Sequence, residues 1–330
     1  MKSLLGIGNA LTDILAVLPD DSLLKKYNLP LGSMQHVDAK TGNTIWADLK
    51  EIGVQYVAGG SAANTVSAAA ILGMPSGYIG KVGDDELGSL FRQSQLQNGI
   101  KSNLLVGTEA SGRAMVFITA PNADRTFATY LGAALQLEPC DLDPAYFAGY
   151  DYLHIEGYLV QNQNLVRRAV EMGKERGMII SLDMASYNVV ESNNVFLQDI
   201  VKNYIDIVFA NETEAAAFTH RPPREALQAM AEMADIAVVK IGKDGSMIQR
   251  GDEFHFIDPW PGDAVDATGA GDTYAAGFLF AHANGMPLKT CGEVGSALAA
   301  KVVEVIGTKI DIPRWKAAKQ EIRRLMGISE

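Results

Sequence analysis

The stretch that decides the fold is DATGAGDTYAAGFLFAHANG, residues 266–285. Asp266 and Asp272 enclose a threonine and four small residues, and a run of helix length, rich in alanine and aromatic residues, follows from Thr273. The glycines Gly269 and Gly271 let the backbone approach a ligand, and the N–H groups of a helix N-terminus bind anions. Asp272 falls in the first turn, where the helix dipole favours its ionised form. We therefore expect an anion site beside a proton acceptor, although a tight turn with Asp272 as the helix cap would explain the same pattern.

Outward from this stretch, short apolar segments alternate with segments of helical period. YDYLHIE, MIISLD, DIVFA and AVVKIG have the length of buried strands, whereas NQNLVRRAVEMGKERG and PPREALQAMAEM have the length and spacing of helices. DDELGSLFRQSQLQNG opens with acidic residues that suit a helix N-terminus and stops at Gly99. This alternation predicts an α/β fold in which a mostly parallel sheet lies between two layers of helices.

Two regions break the alternation. Residues 112–132, GRAMVFITAPNADRTFATYLG, have the pattern of two strands around a turn, without a crossover helix. Residues 15–55 begin with a strand and then pass through prolines, glycines and polar residues. We predict that both regions form a small β-rich lid, inserted into a main domain of residues 1–14, 56–111 and 133–330. Such an insertion can close over a cleft.

Composition excludes several classes of protein. The net charge of −11 argues against broad binding to nucleic acid or to an anionic membrane surface, since both need a basic surface. The two cysteines lie far apart, so we expect two reduced and mostly buried thiols rather than a disulfide framework or a zinc site. Asn9 and Asp13 interrupt the apolar N-terminal stretch, which argues against a signal peptide, and no apolar run reaches the ~20 residues of a membrane span. We expect a cytoplasmic protein.

The usual nucleotide-binding glycine patterns are incomplete. The Gly-Lys pairs at Gly80, Gly173 and Gly242 are not followed by serine or threonine, as a Walker motif requires. GIGNAL begins like a dinucleotide fingerprint but has Leu11 at the position of the third glycine. An NAD-dependent dehydrogenase is therefore a weak alternative.

Six blocks, in order along nearly the whole chain, resemble the ribokinase-like, or PfkB, family of carbohydrate and nucleoside kinases. They are GNALTDI, AGGSAANT, GKVGDDELG, NETEA, VVKIGKDGS and DATGAGD. The resemblance implies a three-layer α/β/α domain with a β-sheet lid, and transfer of the γ-phosphoryl group of ATP to a primary hydroxyl of a sugar or nucleoside. Asp272 then matches the catalytic base, while Gly269, Ala270 and Gly271 match the anion hole.

The resemblance also implies acceptor-binding residues. An amide and a carboxylate, such as Asn9 and Asp13, can together bind a vicinal diol, although both are also common turn residues. Arg125 in the lid is similar to an arginine that meets the transferring phosphate, although an exposed hairpin arginine often serves only solubility. The positions matched to acceptor binding are Asn9, Asp13, Gly59, Gly60, Asn64 and Tyr158.

The ATP and metal positions follow from the other blocks. Glu214 matches a residue that organises the water shell of Mg²⁺, and magnesium suits a site with few protein ligands. Asp266 and Thr268 match positions that hold a monovalent cation in some members, so K⁺ is a candidate cofactor beside ATP and Mg²⁺. The positions matched to ATP binding are Asn211, Lys240, Gly242, Gly245 and Ser296, with Ser296 expected near the start of a late helix.

Several segments resemble the adenosine-kinase branch of the family, among them YVAGGSAANT, the lid region and NYIDIVFANETEAAAF. SAAN and VVKIGKDGS are equally similar to general sugar kinases, so the acceptor stays open between a nucleoside and a sugar. A non-catalytic sensor on the same fold is the alternative from another class. We expect a small-molecule partner and either a monomer or a homodimer formed through the lid.

Overall fold

The computed structural model describes residues 1–119 and 124–328. Its strands are β1 (Leu4–Ile7), β2 (Leu11–Leu18), β3 (Met34–His36), β4 (Gln55–Gly59), β5 (Ser76–Val82), β6 (Lys101–Val106), β7 (Gly112–Thr119), β8 (Asp124–Tyr130), β9 (Tyr152–Glu156), β10 (Ile179–Asp183), β11 (Ile207–Asn211), β12 (Ile236–Lys240), β13 (Ser246–Arg250) and β14 (Glu253–Ile257). Its α-helices are α1 (Ser22–Lys26), α2 (Ala39–Ile52), α3 (Ser61–Leu72), α4 (Glu86–Gln97), α5 (Gln163–Glu175), α6 (Tyr187–Ser192), α7 (Asn194–Tyr204), α8 (Glu212–Thr219), α9 (Pro223–Ala231), α10 (Ala270–Ala283), α11 (Leu288–Val302) and α12 (Ile312–Leu325).

Nine strands form the main sheet, in the order β14-β13-β12-β11-β10-β9-β1-β5-β6. The seven strands β6, β5, β1, β9, β10, β11 and β12 run parallel to one another. The strands β13 and β14 are added antiparallel at the β12 edge. The predicted strands YDYLHIE, MIISLD, DIVFA and AVVKIG are confirmed as β9 to β12. Because they are parallel neighbours, their carboxyl ends meet at one edge of the sheet.

Alternation along the strands separates two helical layers. Leu5 and Ile7 of β1 belong to a buried cluster that includes residues of α5, α7, α8 and α9. Leu4 belongs to a second cluster that includes residues of α3, α10, α11 and α12. Successive side chains of a strand point to opposite faces, so the predicted sheet between two layers of helices is confirmed.

The five other strands form a small sheet in the order β3-β8-β7-β2-β4. The two strands predicted within residues 112–132 are confirmed as β7 and β8, and the turn predicted between them, residues 120–123, lies outside the described residues. Residues 11–14 and 56–59, which the sequence assigned to the main domain, pair within this sheet. The division into a main domain and a lid stays a proposal.

The prediction that residues 15–55 are β-rich is wrong for α2, which takes residues Ala39–Ile52. The Asp38 side chain accepts a hydrogen bond from the Thr41 N–H and caps the helix. Ile45 and Leu49, four residues apart, are fully buried against one face of the small sheet. This apolar stripe is narrow and includes a glycine, so the polar residues around it hid the helical period.

Two further expectations concern the cysteines and membranes. Cys291 is buried but Cys140 is exposed, so the expectation of two buried thiols is wrong for Cys140. None of the helices in the described parts of the chain is long and apolar enough to cross a membrane.

Candidate active site

A cavity of about 1210 Å³ lies between the small sheet and the carboxyl ends of the main-sheet strands. The last residues of β9, β10, β11 and β12 line it, and they are Glu156, Asp183, Asn211 and Lys240. Of these, Glu156 and Asp183 were missed in the sequence. The available signal was that the predicted strands YDYLHIE and MIISLD each end in an acidic residue, and in parallel sheets such strand ends form ligand sites.

The glycine loop at residues 266–271 enters the cavity as the start of α10. Gly269 is the residue before the helix and has φ of +75°, a left-handed conformation that favours glycine, and no side chain caps the helix. The Ala270 N–H donates to the Ala267 carbonyl oxygen over 3.1 Å, whereas the N–H groups of Gly271 and Asp272 have no intrahelical acceptor and are available to an anion. Asp272 lies within the helix and does not cap it. The alternative of a capping aspartate is therefore wrong.

Two side chains of α3 hold the Asp272 carboxylate. The Ser61 hydroxyl donates to Oδ1 over 2.7 Å, and the Asn64 amide donates to Oδ2 over 2.8 Å. Burial raises the pKa of Asp272 to about 6, although the hydrogen bonds from Asn64 and Ser61 oppose the shift. The carboxylate is therefore mostly ionised at neutral pH and has the basicity of a useful proton acceptor. Asn64 was expected to bind the acceptor and here holds the carboxylate of Asp272, whereas Ser61 was missed.

Asn9 lies beside a buried carboxylate. Its backbone N–H and its amide donate to Glu156 Oε1 over 2.8 and 2.6 Å, and Glu156 Oε2 accepts the N–H of Ala62 over 3.0 Å. Burial raises the pKa of Glu156 to about 7. Glu156 thus connects the loop after β1 to the first turn of α3.

Asp13 of β2 faces the cavity from the small sheet. Burial, followed by the nearby Asp272 carboxylate, raises the pKa of Asp13 to about 7, whereas Arg125 acts in the opposite direction. A Cβ on Gly59 would lie 2.5 Å from Asp13 Oδ2, and a Cβ on Gly60 would lie 2.2 Å from the Asn9 carbonyl oxygen. The two glycines therefore leave the space that these polar groups occupy.

Arg125 crosses from the small sheet to the glycine loop. Its guanidinium lies 2.7 Å from Asp266 Oδ2 and 3.2 Å from Thr268 Oγ1, and its side chain is only 10% exposed. Asp266 also accepts hydrogen bonds from the Gly307 N–H at 2.7 Å and from Thr268. Within the described ranges, the structure contains no cluster of three or more histidine, cysteine or acidic residues that could hold a metal ion. K⁺ at Asp266 and Thr268 stays a prediction.

Asn211 and Glu214 form a reciprocal cap at the start of α8. The Asn211 side-chain oxygen accepts a hydrogen bond from the Glu214 N–H at 2.9 Å. The Glu214 carboxylate accepts hydrogen bonds from the Asn211 backbone N–H and from its side-chain amide, both at 2.7 Å. Burial, together with Asp183, raises the pKa of Glu214 to about 7. The carboxylates of Glu214 and Asp183 both line the cavity. Asp183 is paired with Lys240 over 2.8 Å, so Glu214 is the carboxylate that fits Mg²⁺, which takes one or two carboxylates and keeps several waters.

The turn after β12 carries the predicted nucleotide positions. Gly242 begins a short 3₁₀ turn that ends before Gly245, and both glycines line the cavity with positive φ. Ser296 also lines the cavity, but it lies in the second half of α11 and not at the start of a helix. Its hydroxyl accepts the Trp260 N–H over 2.9 Å and donates to the Asp258 carbonyl over 3.2 Å. Ser296 therefore fixes the loop of Trp260, a cavity residue that was missed.

Tyr158 lies in the 3₁₀ turn Gly157–Gln161 directly after β9. It lines the cavity, and its hydroxyl lies 3.5 Å from the Ala185 carbonyl oxygen. Burial raises the pKa of this phenol, so it stays protonated and can donate a hydrogen bond. Apart from Gly59, which lies beside Asp13, all the predicted site residues line this one cavity.

Comparisons with known proteins agree with this geometry. The family described as pfkB family carbohydrate kinase matches residues 31–315. A nucleoside kinase from Methanothermobacter thermautotrophicus is 32% identical over 258 residues, which cover 77% of this chain and 81% of that protein. The structure of adenosine kinase from Sinorhizobium meliloti superposes with a TM-score of 0.88 at 31% identity, covering 97% of this chain and 99% of the other. A probable sugar kinase from Rhizobium etli CFN 42 superposes with a TM-score of 0.88 at 29% identity, covering 97% and 98%.

Proposed function

The chain belongs to the pfkB family of carbohydrate kinases, and on that premise we propose that it transfers the γ-phosphoryl group of ATP to the primary hydroxyl of a nucleoside, with Asp272 as the base. The observation that carries the proposal is the Asp272 carboxylate, held by Ser61 and Asn64 in the first turn of α10. A proton acceptor and a set of free helix N–H groups lie at one point of a cavity large enough for two ligands.

The reaction follows from these groups. The acceptor oxygen forms a bond to the γ-phosphorus, the bond from that phosphorus to the β–γ bridging oxygen breaks, and ADP leaves with the electron pair. The hydroxyl proton passes to the Asp272 carboxylate. The N–H groups at Gly269 and Gly271 face the charge that develops on the phosphoryl oxygens, whereas the Ala270 N–H donates to the Ala267 carbonyl oxygen. Glu214 would hold Mg²⁺ through its water shell, and the ion, when bound, neutralises charge on the ATP phosphates.

Charge under the small sheet favours an unphosphorylated acceptor. Among the described residues, the lysines and arginines that line the cavity are Arg125, Lys240 and Lys243. Arg125 is paired with Asp266, and Lys240 is paired with Asp183. Lys243 lies in the turn after β12, on the side that we assign to ATP. A phosphorylated acceptor would need a further basic group at its distal end.

The lining of the same region favours a nucleoside over a free sugar. A sugar exposes hydroxyls on every side, whereas a nucleobase has two apolar faces that pack against aliphatic and aromatic side chains. Polar groups remain for its edges, from His36, Thr129 and Gln161. The apolar side chains in this part of the cavity are Leu11, Met34, Ala114, Phe127, Leu131 and Leu135.

An acceptor screen tests the proposal. ADP release is measured with ATP and Mg²⁺ in the presence of adenosine, other nucleosides, ribose, fructose and their monophosphates. We expect turnover with at least one nucleoside and lower kcat/KM for every sugar and monophosphate. A best acceptor that is a free sugar would refute the nucleoside assignment, and binding without any ADP release would favour the non-catalytic sensor.

The role of the base is tested by substitution. We expect Asp272→Asn to lower kcat by at least ~10²-fold with KM nearly unchanged, because the amide has the same shape but cannot accept the proton. Asp252→Asn, an exposed residue in the turn between β13 and β14, is the control and should keep wild-type kcat. Turnover above about a tenth of the wild-type value in Asp272→Asn would remove Asp272 from this role.

A further inference from the structure

The side chain of Lys240 lies against the glycine loop at the start of α10. A Cβ built on Gly271 would lie 2.9 Å from Lys240 Nζ. The ammonium therefore lies against the first turn of α10. The Lys240 side chain is 15% exposed, so it reaches this place through the protein and not across solvent.

Charge at this place is unusual. The N-terminus of a helix carries a partial positive charge, so an ammonium beside it is unfavourable unless negative charge lies close by. Asp183 Oδ2 supplies that charge at 2.8 Å, and its side chain is 8% exposed.

We propose, on the basis of the proposed function, that Lys240 is a catalytic residue whose ammonium contacts the oxygens of the transferring phosphoryl group, and that Asp183 is a positioning residue that holds the ammonium there. Phosphoryl transfer spreads negative charge over three oxygens, and fixed positive groups lower its barrier. The helix N–H groups and Lys240 face the same point from two elements. Lys240 donates hydrogen bonds and transfers no proton.

A purely structural ion pair is the competing explanation, and the chain contains a comparison for it. Lys81 Nζ lies 2.7 Å from Asp141 Oδ2, with side chains that are 14% and 18% exposed. That pair has similar length and burial but does not line the cavity. Lys81→Met is therefore the matched control for loss of a buried ammonium.

A double substitution separates the two explanations. Lys240→Met alone leaves Asp183 buried without a partner, which lowers Tm, whereas Lys240→Met with Asp183→Asn removes both charges. We expect the double variant to recover Tm towards the wild-type value but to keep a kcat at least ~10²-fold below it. A double variant with kcat within about tenfold of wild type would overturn the proposal, because the pair would then be structural.

Binding gives a readout that does not need an acceptor. ATP and ADP are titrated by calorimetry against wild type, Lys240→Met and Lys81→Met. We expect Lys240→Met to weaken ATP binding at least ~10-fold more than ADP binding, since only ATP carries the γ-phosphate, and Lys81→Met to change neither. Equal losses for ATP and ADP would overturn the contact. A wild type that prefers ATP but phosphorylates no acceptor would refute the proposed function and leave the Lys240 contact intact.

Discussion

At the scale of single residues, buried carboxylates dominate the site. Asp13, Glu156 and Glu214 have pKa values raised to about 7, and Asp272 to about 6, each chiefly by burial. Asp183 is the exception, because Lys240 lowers its pKa below the usual value in spite of burial. Several buried carboxyl groups in one cavity are costly to ionise together, and side chains with shifted pKa values are typical of functional sites.

The pKa of Asp272 predicts an acid limb in the activity profile. The base must be ionised, so kcat/KM should fall as pH drops through about 6. The apparent value belongs to the whole cluster, which includes Asp13, Glu156, Glu214 and the Asp183–Lys240 pair. The Ser61 hydroxyl lowers the pKa of Asp272, so Ser61→Ala should move the limb to higher pH. Steady-state kinetics from pH 5 to 9 test this shift, with Ser76→Ala, remote from the cavity, as the control. An acid limb that stays at the same pH in Ser61→Ala would argue against Asp272 as the base.

The raised pKa of Asp13 predicts that this residue lowers the stability of the folded protein at neutral pH while it serves acceptor binding. Its pKa in the folded state, about 7, lies above its usual value of 3.8. The folded state therefore holds the proton of Asp13 more tightly, and the contribution of this group to stability is fully present below pH 3.8 and is lost as pH rises through about 7. We expect Asp13→Asn to raise Tm relative to wild type at pH 8, by less at pH 5, and to raise the acceptor KM. Thermal unfolding at pH 5 and pH 8 measures the difference in Tm between variant and wild type, with Asp252→Asn as control. An equal difference in Tm at the two pH values would contradict the raised pKa of Asp13.

At the scale of elements, the helices α3 and α10 bring the site together. α3 supplies Ser61 and Asn64 to the carboxylate, and the Thr65 hydroxyl donates to the Asp272 carbonyl oxygen over 3.1 Å. α10 supplies the free N–H groups and Asp272 itself. The relative position of these two helices therefore sets the geometry of the base.

The two ends of α3 provide a matched test of close approach. Gly60 and Gly73 flank the helix with φ of +97° and +103°, so alanine is strained at both positions. Only at Gly60 would a Cβ meet another atom, the Asn9 carbonyl oxygen, at 2.2 Å. We expect Gly73→Ala to cost about 1 kcal/mol in unfolding free energy and to keep kcat/KM. Gly60→Ala should cost more and lower kcat/KM at least ~10-fold, because Asn9 and α3 must move apart.

Denaturant unfolding and steady-state kinetics on both variants measure the difference. Equal kcat/KM in Gly60→Ala and Gly73→Ala would show that the contact with Asn9 does not position the site.

At the scale of the whole molecule, the small sheet has two different faces. Ile14, Ala16 and Leu18 of β2 pack in a cluster with α2, whereas Leu11 and Asp13 face the cavity. One face thus has its own apolar core and the other completes the site. The oligomeric state stays a prediction.

The ion pair between Arg125 and Asp266 joins the small sheet to the glycine loop, and both side chains are nearly buried. We expect Arg125→Gln to open the cleft, since it leaves the Asp266 charge buried without its partner, a loss of roughly 3–5 kcal/mol. Small-angle scattering of the ligand-free protein should show a larger radius of gyration. Arg167→Gln, which removes an exposed pair with Asp199, should leave it unchanged, and an unchanged radius in Arg125→Gln would show that the pair does not hold the cleft closed.

The sequence by itself determined the local features of this protein. The alternation of strands and helices and the glycine loop before α10 depend on near neighbours in the chain. Buried strands and amphipathic helices differ in the spacing of their apolar residues, so most strands of the main sheet and most of its helices could be predicted from the sequence. The missed helix α2 shows the limit, because its apolar stripe is defined only by the sheet that it covers.

Only the tertiary structure decided which polar groups meet. Ser61 and Asp272 are 211 residues apart, Arg125 reaches Asp266 from another sheet, and Lys240 lies against Gly271 from a different strand. No period or spacing in the sequence encodes these distances, because they depend on how the strands are ordered and on where two separate helices pack. Burial then changed the chemistry of the same side chains, since removing water raises the pKa of a carboxyl group.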